Sequence, residues 1–283
     1  MERVTLHTIR SMKERGERIT MLTAYDYPTA LLLDEAGVDM LLVGDSLGMV
    51  VHGFENTLPV TLEMMLLHCQ AVRRGTKRAL VVVDMPFMTY QISTAEAMRN
   101  AARLLAEGGA DAVKLEGGRR VADTVRALVE AGIAVQGHIG LTPQSVSAFG
   151  GMRVQGKTVE AARQLLDDAL ALEDAGVFSL VLEGIPARLA ELITRRVSVP
   201  TIGIGAGAGC DGQVLVTHDL LGLFERFTPR FVKRYATLAD TMRSAFRAYC
   251  DEVRAGTFPA DEHTYTIPDE VWQAIEAELD RES

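Results

Sequence analysis

Met40-Leu41-Leu42-Val43-Gly44-Asp45-Ser46-Leu47-Gly48 decides how the rest of the chain is read. An apolar run ends in a carboxylate and a hydroxyl set between two glycines, as a buried strand does when polar side chains leave the end of a sheet. The pattern recurs. Ala79 to Val83 ends on Asp84, Ala112 to Leu115 on Glu116, Val135 to Gly137 on His138, and Leu180 to Leu182 on Glu183. Parallel α/β sheets bind ligands at the carboxyl ends of their strands. Five runs that each deliver one ionisable group to that edge predict an active site.

Further apolar runs lie outward from these, at Ile19 to Ala24, Thr201 to Ile204 and Gln213 to Thr217. Eight strand signals alternate with helical ones, which predicts an α/β protein with a closed (β/α)8 TIM barrel. An open doubly wound sheet is the structural alternative. Helices are expected over Thr29 to Ala36, from Thr61 to about Gly75, from Thr94 to Gly108, and over Thr158 to Ala175 and Ala187 to Arg195. The long loop from Gly140 to Lys157 is expected to serve as a lid. After Leu223 the pattern changes to an amphipathic helix over Thr237 to Gly256 and a polar tail with a short helix at about Asp269 to Asp280. This C-terminal helical extension divides the chain into a catalytic barrel with its helices, 1–263, and a tail of unknown role, 264–283.

The bulk properties remove several function classes. A formal charge of -9 with no basic stretch disfavours nucleic-acid binding. No apolar run approaches the ~18 residues of a spanning helix, and Met1 to Arg18 carries no signal-peptide core. Cys69, Cys210 and Cys250 are far apart and odd in number, which fits a reduced, cytoplasmic protein rather than a disulfide or thiolate-zinc framework.

Asp45, Asp84 and Glu116 offer hard oxygen ligands with no clustered Cys or His, a set that suits Mg²⁺. One such acid can merely cap the following helix; three in register on successive strands argue for a shared site. Lys114 lies two residues before Glu116 on one strand, so both face the barrel mouth. It either holds a substrate carboxylate or carbonyl oxygen or forms a structural salt bridge with Asp84 or Glu116, and the two roles are compatible. His138 is either a structural histidine or a site residue placed opposite the acids. Glu183, ending an apolar run, is a candidate general base or acid whose pKa burial should raise. The glycines from Gly203 to Gly212 are similar to a phosphate loop after strand seven, or simply allow close backbone approach.

Taken in order, several blocks resemble the ketopantoate (3-methyl-2-oxobutanoate) hydroxymethyltransferases of pantothenate biosynthesis. They are Thr23-Ala24-Tyr25-Asp26, Val43 to Gly48, Leu58-Pro59-Val60-Thr61, Asp84-Met85-Pro86-Phe87 and Lys114 to Gly118. His138 to Ser145, Val181-Leu182-Glu183, Ile202 to Gly207 and Asp211-Gly212-Gln213 complete the set. The resemblance implies a (β/α)8 barrel, a homodecamer, Mg²⁺, and 5,10-methylenetetrahydrofolate as co-substrate. It also implies that Asp45 and Asp84 ligate the metal directly and Glu116 is a further metal-site carboxylate. Ser46, Asp84 and Lys114 would contact substrate, and Glu183 would accept the proton. The expected reaction moves a hydroxymethyl group to 3-methyl-2-oxobutanoate. The enzymatic alternative is an enolate-forming lyase or mutase of the phosphoenolpyruvate mutase and isocitrate lyase type; the chain lacks the nucleophilic cysteine motif expected of that lyase. A non-catalytic barrel that binds a keto acid is the third reading.

Overall fold

The computed structural model describes residues 2–145 and 153–282. Two compact units divide the chain, Met1–Ala236 and Thr237–Ser283. In the first, eight parallel strands close into a barrel in sequence order: β1 (Ile19–Thr23), β2 (Met40–Val43), β3 (Leu80–Asp84), β4 (Ala112–Glu116), β5 (Val135–Gly140), β6 (Ser179–Glu183), β7 (Thr201–Ile204) and β8 (Gly212–Leu215). Most of these strands are apolar runs buried on both faces, as a parallel sheet wrapped in helices requires.

The outer helices bury one face each. α2 (Tyr27–Glu35) is capped by Asp26, α4 (Leu62–Gly75) by Thr61, and α7 (Val159–Asp174) by Thr158, each side chain accepting a backbone N–H in the first turn. α5 (Thr94–Ala106), α6 (Ala122–Glu130) and α8 (Ala187–Arg196) complete the wrap. Short helices α3 (Leu47–Val50) and α9 (Thr217–Leu220) follow β2 and β8. In the second unit, α10 (Leu238–Ala255) stops at Gly256 in the left-handed conformation, and α11 (Asp269–Glu282) follows.

The structure adds three helices that the sequence pattern did not predict, α1 and the short α3 and α9, and it shifts several boundaries, among them the cap of α5 and the end of the last strand. α1 (Leu6–Arg15) lies inside the stretch read as polar, and it starts in a capping box between Thr5 and Thr8. Its Ile9 and Met12, with Val4, join barrel-lining residues such as Ile19, Met21, Met40 and Val82 in one apolar cluster. Helix α5 is capped by Ser93 rather than Thr94, because the Ser93 hydroxyl accepts the Glu96 N–H. The last strand ends at Leu215 rather than Thr217; the Thr217 N–H and hydroxyl donate to Thr23 instead of continuing the ladder. Of the expected lid, residues 146–152 lie outside the described residues.

Candidate active site

Strand register brings the predicted residues together. Asp84 pairs with Lys114, Glu116 with His138, and Gly140 with Glu183 across neighbouring strands. All seven predicted site residues (Asp45, Ser46, Asp84, Lys114, Glu116, His138 and Glu183) line one cavity at the carboxyl end of the barrel. A Cβ on Gly44 would lie 2.9 Å from Ser46 Oγ, so glycine lets the turn after β2 fold tightly over its neighbours.

A continuous run of polar contacts crosses the cavity floor. The Asp45 N–H donates to Asp84 Oδ2 at 3.0 Å, and Asp84 Oδ1 lies 2.8 Å from Lys114 Nζ. Lys114 Nζ is 3.3 Å from His138 Nδ1, and His138 Nε2 is 3.2 Å from Glu183 Oε2. An ammonium can only donate, so Nδ1 accepts and the imidazole proton sits on Nε2, facing Glu183. The two outer contacts are close without being aligned hydrogen bonds, since Asp84 Oδ1 and His138 Nε2 are both buried and find no hydrogen-bond partner among the described residues. Both proposed roles of Lys114 therefore start from an observed ion pair with Asp84.

The electrostatics are those of crowded acids. Burial, then the Asp84 charge, pushes Asp45 up to about 7. Burial and Asp45 hold the Glu116 carboxyl well above its ordinary range. Glu183 rises to about 7 by burial, against the pull of Lys114. Burial opposes the Lys114 ammonium, yet Asp84, Glu116 and Asp45 outweigh it and keep its pKa above the usual value. Burial and Lys114 together hold His138 well below the usual histidine range, so it is neutral.

Three further residues that the sequence pattern did not single out for the site complete it. Gln144 Nε2 donates to Asp45 Oδ2 at 2.9 Å and its backbone N–H donates to Glu116 Oε2 at 3.0 Å, so one residue ties two of the acids together. Tyr90 donates to Gln144 Oε1 at 2.8 Å, and its hydroxyl accepts the Glu116 N–H. Tyr25 and Ser46 share a hydroxyl–hydroxyl bond of 2.8 Å. Tyr25 and Gln144 sit in the blocks quoted above, but their partners lie 21 and 99 residues away in sequence. None of the glycines from Gly203 to Gly212 is among the cavity-lining residues. Gly207 and Gly212 instead allow close packing, a Cβ there meeting Ala187 Cβ and, at 2.5 Å, the Ile19 carbonyl oxygen.

Among the described residues no three His, Cys, Asp or Glu side chains close on a single metal ion. The donors that are present nevertheless fit Mg²⁺. Hard carboxylate oxygens converge, Asp84 Oδ1 is buried without a hydrogen bond, and several acids face one ammonium. Mg²⁺ takes one or two protein carboxylates and fills its octahedron with water and substrate oxygens.

In fold, the chain is similar to 2,3-dimethylmalate lyase of the PEP mutase/isocitrate lyase superfamily, at TM-score 0.59 and 16% identity, covering 98% of this chain and 96% of that one. A phosphonopyruvate hydrolase solved with oxalate and Mg²⁺ is similar at TM-score 0.57 and 14% identity, covering 96% and 98%. The sequence relatives are much nearer. The 3-methyl-2-oxobutanoate hydroxymethyltransferase of Syntrophus aciditrophicus is 60% identical over 263 residues, 93% of this chain and 97% of its own. That of Moorella thermoacetica is 61% identical over 263 residues, 93% and 98% of the two chains. With a family profile matching residues 3–261 as well, the chain belongs to the ketopantoate hydroxymethyltransferase family and is an enzyme of it.

Proposed function

We propose that the enzyme transfers a hydroxymethyl group from 5,10-methylenetetrahydrofolate to 3-methyl-2-oxobutanoate, giving 2-dehydropantoate, the first committed step toward pantothenate. The observation that carries the reading is the run Asp84–Lys114–His138–Glu183, which ends on a carboxyl whose pKa is about 7. Such a group is a workable base near neutral pH.

Asp45 and Asp84 would hold Mg²⁺ directly, and Glu116, fastened by Gln144 and Tyr90, would reach it through water. When bound, the ion supplies positive charge beside the oxo and carboxylate oxygens of the keto acid. Lys114 adds a second positive charge on the same side, and Ser46, held by Tyr25, offers a hydroxyl to the substrate. Glu183 takes the proton from C3 of the keto acid. Neutral His138 presents Nε2–H toward Glu183 and keeps its carboxylate aimed across the cavity. Carbon C3 then bonds to the methylene carbon of the folate as that carbon's bonds to nitrogen break. Water supplies the new hydroxyl oxygen, and tetrahydrofolate leaves.

The same proposal places the enzyme in the cytoplasm as a homodecamer, with residues 1–263 forming the catalytic domain. Among the described residues no helix is long and apolar enough to cross a membrane. Turnover of 3-methyl-2-oxobutanoate is measured with and without methylenetetrahydrofolate, and with and without Mg²⁺. The proposal expects product only when both are present. Cleavage or rearrangement of a 2-oxo acid without folate would instead place the enzyme with the lyases and mutases.

A further inference from the structure

The catalytic cavity has a second half that the keto acid chemistry leaves unused. Opposite the acids, its wall is built from Val214, Leu215 and Val216 at the end of β8 and from Phe224, Phe227 and Phe231 in the segment after α9. Phe227 and Phe231 are 63% and 41% exposed. A Cβ on Gly205 would come within 2.7 Å of the Phe231 ring, so the turn after β7 is cut back to seat that ring. A wall of this size exceeds the needs of a five-carbon acid.

One carboxylate faces into this apolar half. Asp219 lines the cavity and is 9% exposed; its backbone N–H donates to the Val216 carbonyl and its carbonyl accepts the Gly222 N–H, while its carboxylate makes no hydrogen bond or ion pair among the described residues and feels the Arg234 charge. A nearly buried carboxylate set in an apolar wall, with Arg234 as the charge that acts on it, offers its oxygens to a ligand that carries donors. Around it the chain turns locally basic. Residues 224–235 carry Arg226, Arg230, Lys233 and Arg234 against the single acid Glu225, in a protein whose net charge is -9.

We infer that this half of the cavity is the folate subsite, with Asp219 receiving the 2-amino-4-oxopyrimidine edge of the pterin and the Phe224, Phe227 and Phe231 wall covering its ring. That edge presents two N–H donors side by side, the geometry that a carboxylate accepts with both oxygens. A flat heteroaromatic ring fits phenylalanine faces by stacking. Gripping the pyrimidine edge leaves the opposite edge, which bears the one-carbon bridge, directed away from Asp219. The anionic glutamyl tail then meets the basic segment, where Arg230 is an exposed cation with no ion pair or hydrogen bond among the described residues, and Lys233, over the Tyr235 ring, is another. The inference rests on the proposed transfer from folate, and it assigns contacts that the reaction alone does not specify.

The test uses the full-length purified enzyme with free pterin and with tetrahydrofolate as probes, dissociation constants being read by fluorescence quenching. Asp219→Asn should weaken pterin at least tenfold and raise the KM for methylenetetrahydrofolate by a similar factor, while the keto acid KM changes less than twofold. Phe227→Ala, at an exposed ring that the fold does not need, should weaken pterin several-fold. Arg230→Gln should weaken tetrahydrofolate and leave pterin, which has no tail, unaltered. Pterin affinity in Asp219→Asn within twofold of the parent, or equal losses of keto acid and folate affinity, would overturn the subsite. Failure of the parent enzyme to turn over with methylenetetrahydrofolate would instead overturn the proposed reaction, so the two failures are told apart.

Discussion

The two ends of this barrel use the same residue, aspartate, in opposite ways. At the amino ends of the strands each acid is surrounded by donors. Asp39, just before β2, accepts the Thr20 N–H and hydroxyl and pairs with Arg78 at 2.9 Å. Asp211, just before β8, accepts the Thr201 N–H and pairs with Lys13 at 3.0 Å. Asp34, in α2, accepts the N–H groups of Lys77, Arg78 and Ala79. Burial works against the Asp34 charge, but the three backbone donors outweigh it and hold its pKa below the ordinary value. At the carboxyl ends Asp45, Asp84, Glu116 and Glu183 crowd around one lysine, and the pKa values of Asp45, Glu116 and Glu183 are raised. Only a few residues of strand separate the two environments: on β3, Val82 belongs to the apolar interior and Asp84 to the site. Satisfied acids hold the barrel together, and frustrated ones are free to bind and react.

Three substitutions test the contrast between the two ends of the barrel. The largest effect is expected of Asp84→Asn, which keeps the shape and removes the charge that Lys114 faces and that the proposed Mg²⁺ would face. Turnover should fall on the order of 10³-fold or more with little change in circular dichroism; full activity in chelator-treated buffer would remove Asp84 from the metal site. At the other end, Asp34→Ala strands three backbone donors and should cost about 3 kcal/mol of stability with kcat unaltered. Because the folded pKa of Asp34 is lowered, its contribution is complete above the unfolded value of about 4 and is lost as pH falls through the folded one. The melting difference between Asp34→Ala and the parent should therefore shrink on acidification; a constant difference would show that packing, not charge, carries the effect. The smallest effect on stability is expected of Asp45→Asn. Removing one crowded acid should raise the melting temperature in chelator, by an amount on the order of 1 kcal/mol, while turnover is lost. A lower melting temperature would show that Asp45 is as well satisfied as Asp39.

The strand-end residues were legible because each closes an apolar run, and a parallel barrel has one edge to which such runs deliver their last side chain. The same logic placed Lys114 and Glu116 on one side of β4, where both line the cavity. Gln144 and Tyr90 were not legible, because their roles depend on contacts between loops after different strands, 54 residues apart in sequence. Helix α1 was hidden for a different reason. It buries only Ile9 and Met12 among charged neighbours, too short an apolar pattern to outweigh the polarity around it. Asp219 ends no strand, and only the folded chain sets it beside the phenylalanine wall.

In the proposed reaction Glu183, raised to about 7 by burial, removes the C3 proton of the keto acid before the carbon–carbon bond forms. Proton NMR of 3-methyl-2-oxobutanoate in D₂O with Mg²⁺ and no folate follows this step alone. The parent enzyme should exchange the C3 hydrogen at a rate that climbs with pH toward about 7 and then levels, since the carboxylate form does the work. Glu183→Gln should suppress exchange and turnover together, whereas His138→Gln should reduce both only partly. Undiminished exchange in Glu183→Gln would contradict the assignment and remove Glu183 as the base, and loss of exchange in His138→Gln alone would move the role to His138.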